Sequence, residues 1–492
     1  MPESMSFSLN QLNLQLLIPM CISLFGGIIL LGVGVFNKTK SRDLYITISM
    51  LFVVLNLGFL FLEGNPIRQF GFFNLLLVDG ISLLTQIIML LATFVLLLFF
   101  MNQNNLPETQ GAEFYALLLF SIAGFAFMAS SQNLILILLG LETASLCLYA
   151  LIALHNQKSA FEASIKYFIM GALATTFYAF GAMLLYAATG SVDIISIATF
   201  LHQQSYQPSI LVFAGFVFLL CALGFKVTLV PFHSWGPDVY EGSNALLAAF
   251  IAIVPKIVTF AVIIRIFSVF IDSHSVFVEY TLYVIVVLTM TIPNLIALTQ
   301  KDVKRMLAYS SISHSGFVLA AVLINTPQSH SVIFFYWFLF LFANIGAFGI
   351  LWLSVDCKKN YQTQISHPFE KFSGMIKTNP TLAILLTLFM FALAGIPPFC
   401  VFWGKMYLMQ SAISANYTIL ALIMAINSII AGFYYLKLVI YIFAKEPYEI
   451  KDSQSSLELS SKFALSITAF VSVACLFMVQ NLLEIIEKYI LK

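Results

Sequence analysis

Four side chains could carry protons through an otherwise apolar chain: Glu142, Lys226, Lys256 and Lys405. Each lies well inside a hydrophobic run long enough to cross a bilayer. A charge at the bilayer centre costs at least about 2.5–3.5 kcal/mol, so it persists only beside a partner, in a hydrated cavity, or within reach of the interface. An ammonium has donors but no acceptor and ligates no cation. What a buried lysine can do is exchange a proton, because burial disfavours its charged form and a nearby carboxylate restores it. Glu142 shares a helix face with Ser145 and Tyr149, and a lysine from another helix is its expected partner. On this reading Glu142 sets the proton affinity of Lys226, and Lys256 and Lys405 pass the proton onward through water. His314, in a serine-rich helix, is either a relay or a hydrogen-bonded structural residue, and so is His233 beside Pro231. Lys166, three residues inside its span, is either part of the path or snorkels to the interface. Arg265 and Lys437 lie near span ends and are expected to snorkel, and Asp79 is expected to cap a helix.

The composition says where these groups must work. Of 492 residues, 61% are hydrophobic and 9% charged, and the mean hydropathy is +0.97. Soluble proteins carry roughly 25% charged residues, so this is a membrane protein and lipid is one of its partners. The net charge is +1 without a basic tract, which argues against nucleic acid. Six scattered cysteines (Cys21, Cys147, Cys221, Cys357, Cys400, Cys475) form no C-x-x-C pair, which leaves no zinc, iron–sulfur or disulfide framework to read. Walker, G-x-G-x-x-G and H-E-x-x-H motifs are missing too. The chain is expected to make and break no covalent bonds itself, and to hold no cofactor.

Hydropathy predicts one all-helical membrane domain with fourteen spans: 12–36, 44–62, 81–100, 114–130, 134–154, 163–187, 210–235, 245–270, 280–298, 306–323, 332–355, 382–412, 417–443 and 463–490. With both termini outside, fourteen basic residues fall on the inner side (Lys38, Lys40, Arg42, Lys158, Lys301, Lys304, Arg305, Lys358, Lys359, Lys371, Lys377, Lys445, Lys451 and Lys462). Only Arg68, Lys488 and Lys492 fall on the outer side, a bias that fixes the orientation. Proline interrupts helices, and Pro231 follows Lys226 by five residues while Pro398 precedes Lys405 by seven. Broken backbone at membrane depth is tolerated only where protein buries it or water reaches it, so the seventh and twelfth spans should be broken beside a hydrated site. Pro255 next to Lys256 makes a third such association. Spans four to eight (113–270) and nine to thirteen (280–443) have matching lengths with the broken helix fourth in each. An odd number of spans turns the second unit upside down, the inverted-repeat design of secondary transporters.

The run GFKVTLVPFHSWGPDVYEGSNALLAAFIAIVPKIVTF resembles the antiporter-like membrane subunits of respiratory complex I, NADH-quinone oxidoreductase, and within that family the subunit N branch. LGLETASLCLYAL around Glu142, EASIKYFIMGALATTFYAFGAMLLYAATG around Lys166, DVKRMLAYSSISHSGFVL around His314 and GIPPFCVFWGKMYL around Lys405 extend the resemblance over about residues 72–443. EGSNALL and PPFCVFWGK depart from the family's usual pattern. The resemblance implies fourteen helices, two inverted five-helix repeats, broken helices seven and twelve, and proton translocation along a hydrophilic axis. It matches Glu142 to the fifth-helix glutamate and Lys226, Lys256 and Lys405 to the lysines of helices seven, eight and twelve. It further implies a bacterial inner-membrane location, neighbouring membrane subunits M and K, and quinone, flavin and iron–sulfur clusters in partner subunits. Two rival readings stay open: a subunit of a multi-component cation/proton antiporter, and a structural subunit that conducts nothing.

Overall fold

The computed structural model describes residues 12–491 apart from 37–40, 64–65, 102–108, 110, 204–208, 274, 355–365 and 448–457. Lys38, Lys40, Cys357, Lys358, Lys359, Lys451 and Lys492, used above, lie outside the described residues. Helices dominate: α1 (Ile18–Phe36), α2 (Arg42–Glu63), α3 (Gly80–Phe100), α4 (Ala112–Ala129), α5 (Leu134–Ala153), α6 (Lys158–Thr189), α7 (Ile194–Gln203), α8 (Ile210–Lys226), α9 (Trp235–Gly242) and α10 (Ala245–Ile271). They continue as α11 (Val276–Thr299), α12 (Val303–Ile324), α13 (Pro327–Leu353), α14 (Met375–Thr378), α15 (Pro380–Ala394), α16 (Cys400–Ser414), α17 (Thr418–Ala444) and α18 (Leu459–Ile490). A short antiparallel hairpin pairs Gln69–Gly71 with Leu76–Val78 before α3. Asp79 caps α3 in a reciprocal capping box with Ser82, as its position suggested.

Among the described residues twelve helices are long and apolar enough to cross a membrane. The helices α3, α10, α12 and α13 are buried along most or all of their length, whereas α1, α2, α6, α11, α17 and α18 keep apolar faces outward. That is the layering expected where the surrounding solvent is hydrocarbon: apolar residues serve both core and rim, and polar ones gather inside. The polar interior lies where α12, at the centre, packs on α9, α10, α13 and α16.

The two expected breaks are present, with boundaries that differ from the sequence reading. The span read as 210–235 stops being helical at Lys226, and a separate helix, α9, begins at Trp235 beyond the apolar run. Pro237 is tolerated there because it sits in the first turn of α9, where backbone donors have no intrahelical acceptor. The span read as 382–412 is two helices, α15 and α16, with Gly395 closing the first at φ +79°. Pro255 breaks nothing: α10 runs through it, packed on all sides by neighbours that hold its path.

Candidate functional site

Lys226 is the last residue of α8 and is 5% exposed. Beyond it Thr228 takes φ +60°, which turns the chain away, and the carbonyls freed by the break find new donors. Leu229 N donates to Gly224 O at 2.7 Å and Trp235 Nε1 to Phe225 O at 3.0 Å. The Lys226 ammonium donates to Ser145 Oγ at 2.8 Å and to Tyr149 OH at 3.4 Å. The rings of Tyr149, Tyr167 and Phe225 lie 5.7–5.8 Å from Nζ, so π-faces supply part of the stabilisation that water would give. The expected partner, Glu142, does not touch the lysine. It is half-buried where α5 meets α6 and accepts from Thr175, while the next positions of its polar stripe, Ser145 and Tyr149, turn inward to Lys226.

Lys256 is 1% exposed and donates to both the carbonyl and the hydroxyl of Ser311, each at 2.8 Å. Tyr240 of α9 reaches the same hydroxyl at 3.4 Å, so the short helix after the first break touches the lysine of α10 through one serine of α12. One turn along α12, His314 Nδ1 meets Tyr336 OH at 2.5 Å and Nε2 meets Tyr435 OH at 3.4 Å. Tyr435 also bonds Ser310. His314 is buried, and its two ring nitrogens face two hydroxyls from different helices, an arrangement able to take a proton on one side and release it on the other.

Lys405 is 2% exposed and donates to Ala394 O at 2.9 Å. That carbonyl ends α15, so the ammonium sits on the negative end of a helix dipole. The ring of Phe317 lies 5.2 Å from Nζ. Gly395 is required twice: its φ is positive, and a Cβ would come within 2.9 Å of Lys405 Cδ. Gly404, next to Lys405, lets Tyr336 pack against α16, since a Cβ there would meet Tyr336 Cδ2 at 2.7 Å. Tyr336 thus joins the histidine to the helix that carries Lys405.

Four basic residues lie apart from this axis. Lys166 is half-exposed and pairs with Glu162 at 2.8 Å and Asp238 at 2.9 Å; Arg305 also holds Asp238, at 3.0 Å, and Glu241, at 2.5 Å. Lys437 donates to Gln300 O at 3.0 Å across the face of Phe369. Arg265 does not snorkel: it is buried and pairs with Asp79 at 2.6 Å, because the acid that caps α3 lies opposite it.

A family model described as NADH:quinone oxidoreductase/Mrp antiporter, TM, matches residues 131–431. NADH-quinone oxidoreductase subunit N of Sulfurimonas denitrificans is 47% identical over 100% of this chain and 99% of its own. This chain belongs to the NADH-quinone oxidoreductase subunit N family. Respiratory complex I from Thermus thermophilus, solved with bound aureothin, contains a chain 28% identical with a TM-score of 0.77, covering 95% of this chain and 98% of that one. A chain of the Mrp complex from Dietzia sp. DQ12-45-1b, 21% identical with a TM-score of 0.79, covers 96% of this chain and 97% of its own and shares the fold.

For this member of the subunit N family, sequence reasoning found the three buried lysines and the Ser145–Tyr149 stripe that Lys226 binds, and missed the groups around Lys256 and His314. Ser311, Tyr240, Tyr336 and Tyr435 come from four helices, and no linear spacing links them. Lys304 was counted among the orienting charges, but it is buried and donates to Ser243 O at 2.8 Å. Asn294 and Asn427, also buried, join α11 to α17 at 3.2 Å, with Tyr434 OH donating to Asn294 at 3.0 Å. The sequence signal for this pair was only that each asparagine interrupts an apolar helix.

Proposed function

We propose that this chain is a proton-translocating membrane subunit of a complex I-type quinone oxidoreductase, with protons moving along Lys226, Lys256, His314 and Lys405. The observation that carries the reading is the set of three buried ammonium groups on three helices, each bound only to neutral oxygens. Among the described residues no carboxylate pairs with any of them, so each can gain or lose a proton as its surroundings change. Glu142, one turn from the serine that Lys226 binds, is the acid whose charge biases the first lysine. Water completes the path where side chains do not meet. Lys166 belongs to the edge of the path, as part of the ion-pair cluster with Asp238.

The two interrupted helices, added to the twelve unbroken ones, support fourteen crossings arranged as inverted units 113–270 and 280–443. Both termini then lie on the periplasmic side of a bacterial inner membrane. Redox cofactors belong to other subunits, and subunits M and K are the membrane neighbours. The antiporter alternative shares the fold, but the whole-length identity lies with subunit N.

The test is proton pumping by the assembled complex in vesicles, carrying single substitutions at Glu142, Lys226, Lys256 or Lys405. Each is expected to lower pumping while the complex assembles. Four variants that all pump as wild type would overturn the reading and leave a structural subunit.

A further inference from the structure

Glu142 meets its surroundings through one hydroxyl. The acid is half-buried at membrane depth, and among the described residues its only hydrogen-bond partner is Thr175 of α6. Thr175 Oγ1 also lies 3.0 Å from Gly171 O, one turn back on its own helix. A threonine bonded to the carbonyl four residues earlier is ordinary in a helix, and Thr143 and Thr176 are held in that way at 2.8 Å and 2.9 Å. Thr175 differs in having a second acceptor, the carboxylate, within reach of the same hydrogen.

A hydroxyl has one hydrogen to give and lone pairs with which to receive. When Glu142 is ionised the hydrogen goes to the carboxylate, because a charged acceptor is the stronger one. When Glu142 is protonated its O–H donates to Thr175 Oγ1, and the threonine hydrogen turns to Gly171 O. Both charge states of the acid are then hydrogen-bonded, and neither leaves a polar group unsatisfied where water is scarce. Thr175 keeps its own hydrogen throughout; only the acceptor changes.

The carbonyl that receives this hydrogen belongs to the residue on which Tyr149 rests. A Cβ at Gly171 would collide with the Tyr149 hydroxyl, so no larger residue fits there. Tyr149 in turn accepts from Lys226 at 3.4 Å, and its ring packs edge-on against Tyr167 at 4.7 Å. Glu142 and Lys226 therefore meet the same turn of α6, the acid through Thr175 and the lysine through Tyr149. Tyr149, Tyr167 and Lys226 are the titratable groups of this corner. Helix α4 packs on α5 through Gly124, and its own titratable residues, Glu113 and Tyr115, lie about two and a half turns or more from that contact.

We infer that Thr175 is a positioning residue that lets Glu142 change charge, by switching its hydroxyl between the Glu142 carboxylate and the Gly171 carbonyl. The inference deepens the proton path proposed above and rests on the part given there to Glu142.

The test uses the assembled complex in proteoliposomes, driven by quinone reduction. Thr175→Val keeps the shape of the side chain and removes the hydroxyl; Thr175→Ser keeps the hydroxyl and loses a methyl group. Thr175→Val is expected to lower pumping about fivefold at normal assembly, while Thr175→Ser retains more than about half. In infrared difference spectra the C=O stretch of the protonated acid is identified as the band that Glu142→Gln removes. It is expected to move to higher frequency in Thr175→Val and to stay in place in Thr175→Ser. A packing role predicts the reverse order of pumping and an unmoved band, and either result overturns the inference. So does the absence of any band that Glu142→Gln removes, since the acid would then keep one charge throughout. If Thr175→Val does not assemble, Thr175→Ala against Thr175→Ser gives the same contrast, and equal pumping by the two overturns it. Glu142→Gln is also the control for pumping. Should it fail to pump while Thr175→Val pumps as wild type, only this inference falls; if both pump as wild type, the role given to Glu142 falls with it.

Discussion

The two broken helices hold their lysines in opposite ways. At the first, the lysine is the final residue before the break, and its ammonium leaves its own helix to bind hydroxyls of α5 inside a ring of aromatic side chains. At the second, the lysine lies after the break, and its ammonium turns back to the carbonyl end of the half-helix before it. Hydroxyls can rotate and either give or take a hydrogen bond, and Glu142 stands one turn from the serine that Lys226 binds. A helix end is a fixed partial charge that cannot reorient. On the proposed path, the first site would respond to a neighbouring charge and the second would hold a constant proton affinity.

That contrast can be broken experimentally, starting with the largest effect. Separating Arg265 from Asp79 should come first: Asp79→Ala leaves a buried cation unpaired and is expected to cost about 3–5 kcal/mol, seen as loss of assembled complex in membranes. It should do so without preference for either site, because it acts on the scaffold. Gly395→Ala is next. It combines a left-handed backbone with a clash on Lys405, so a penalty of about 1–2 kcal/mol from the backbone alone is expected, together with at least a tenfold drop in pumping. Gly190→Ala imposes a similar φ, +73°, with open space around the Cβ, and should lose stability without losing pumping. Gly404→Ala, which pushes on Tyr336, is expected to slow pumping several-fold and to leave the Lys226 region intact. Ser145→Ala removes one bond to a buried ammonium, worth about 1.5–3 kcal/mol. Its expected signature is a several-fold fall in pumping that Ser145→Thr restores. If Ser145→Ala and Gly404→Ala gave the same response to removal of Glu142, the two sites would not differ as argued.

The sequence made the charged skeleton of this site legible because intramembrane charge is so costly that its mere presence is informative. Lys226, Lys256 and Lys405 stood out for that reason, and all three proved to be buried and hydrogen-bonded. The breaks were legible from Pro231 and Pro398, but their edges were not: hydropathy cannot distinguish an apolar helix from the apolar turn at 227–234. Pro255 shows the limit from the other side, since a proline in a helix enclosed by neighbours need not break it. The neutral half of the site was hidden. Ser311, Tyr336 and Tyr435 are ordinary residues until tertiary packing brings them beside a lysine or a histidine. Arg265 was misread because its partner is 186 residues away.

That same ion pair bears on how the chain is made. The helix α10 carries both Lys256 and Arg265, and two cations on one helix would cost about 5–7 kcal/mol in lipid if it stood alone. The groups that neutralise or solvate them come from both directions in the chain: Asp79 is synthesised well before α10, and Ser311 after it. Arg265 can therefore find its acid as α10 enters the membrane, whereas Lys256 must wait for α12. Chain order therefore lets the Arg265–Asp79 pair form before Lys256 meets Ser311, so α10 would be anchored at one end while the proposed proton path is still open at the other.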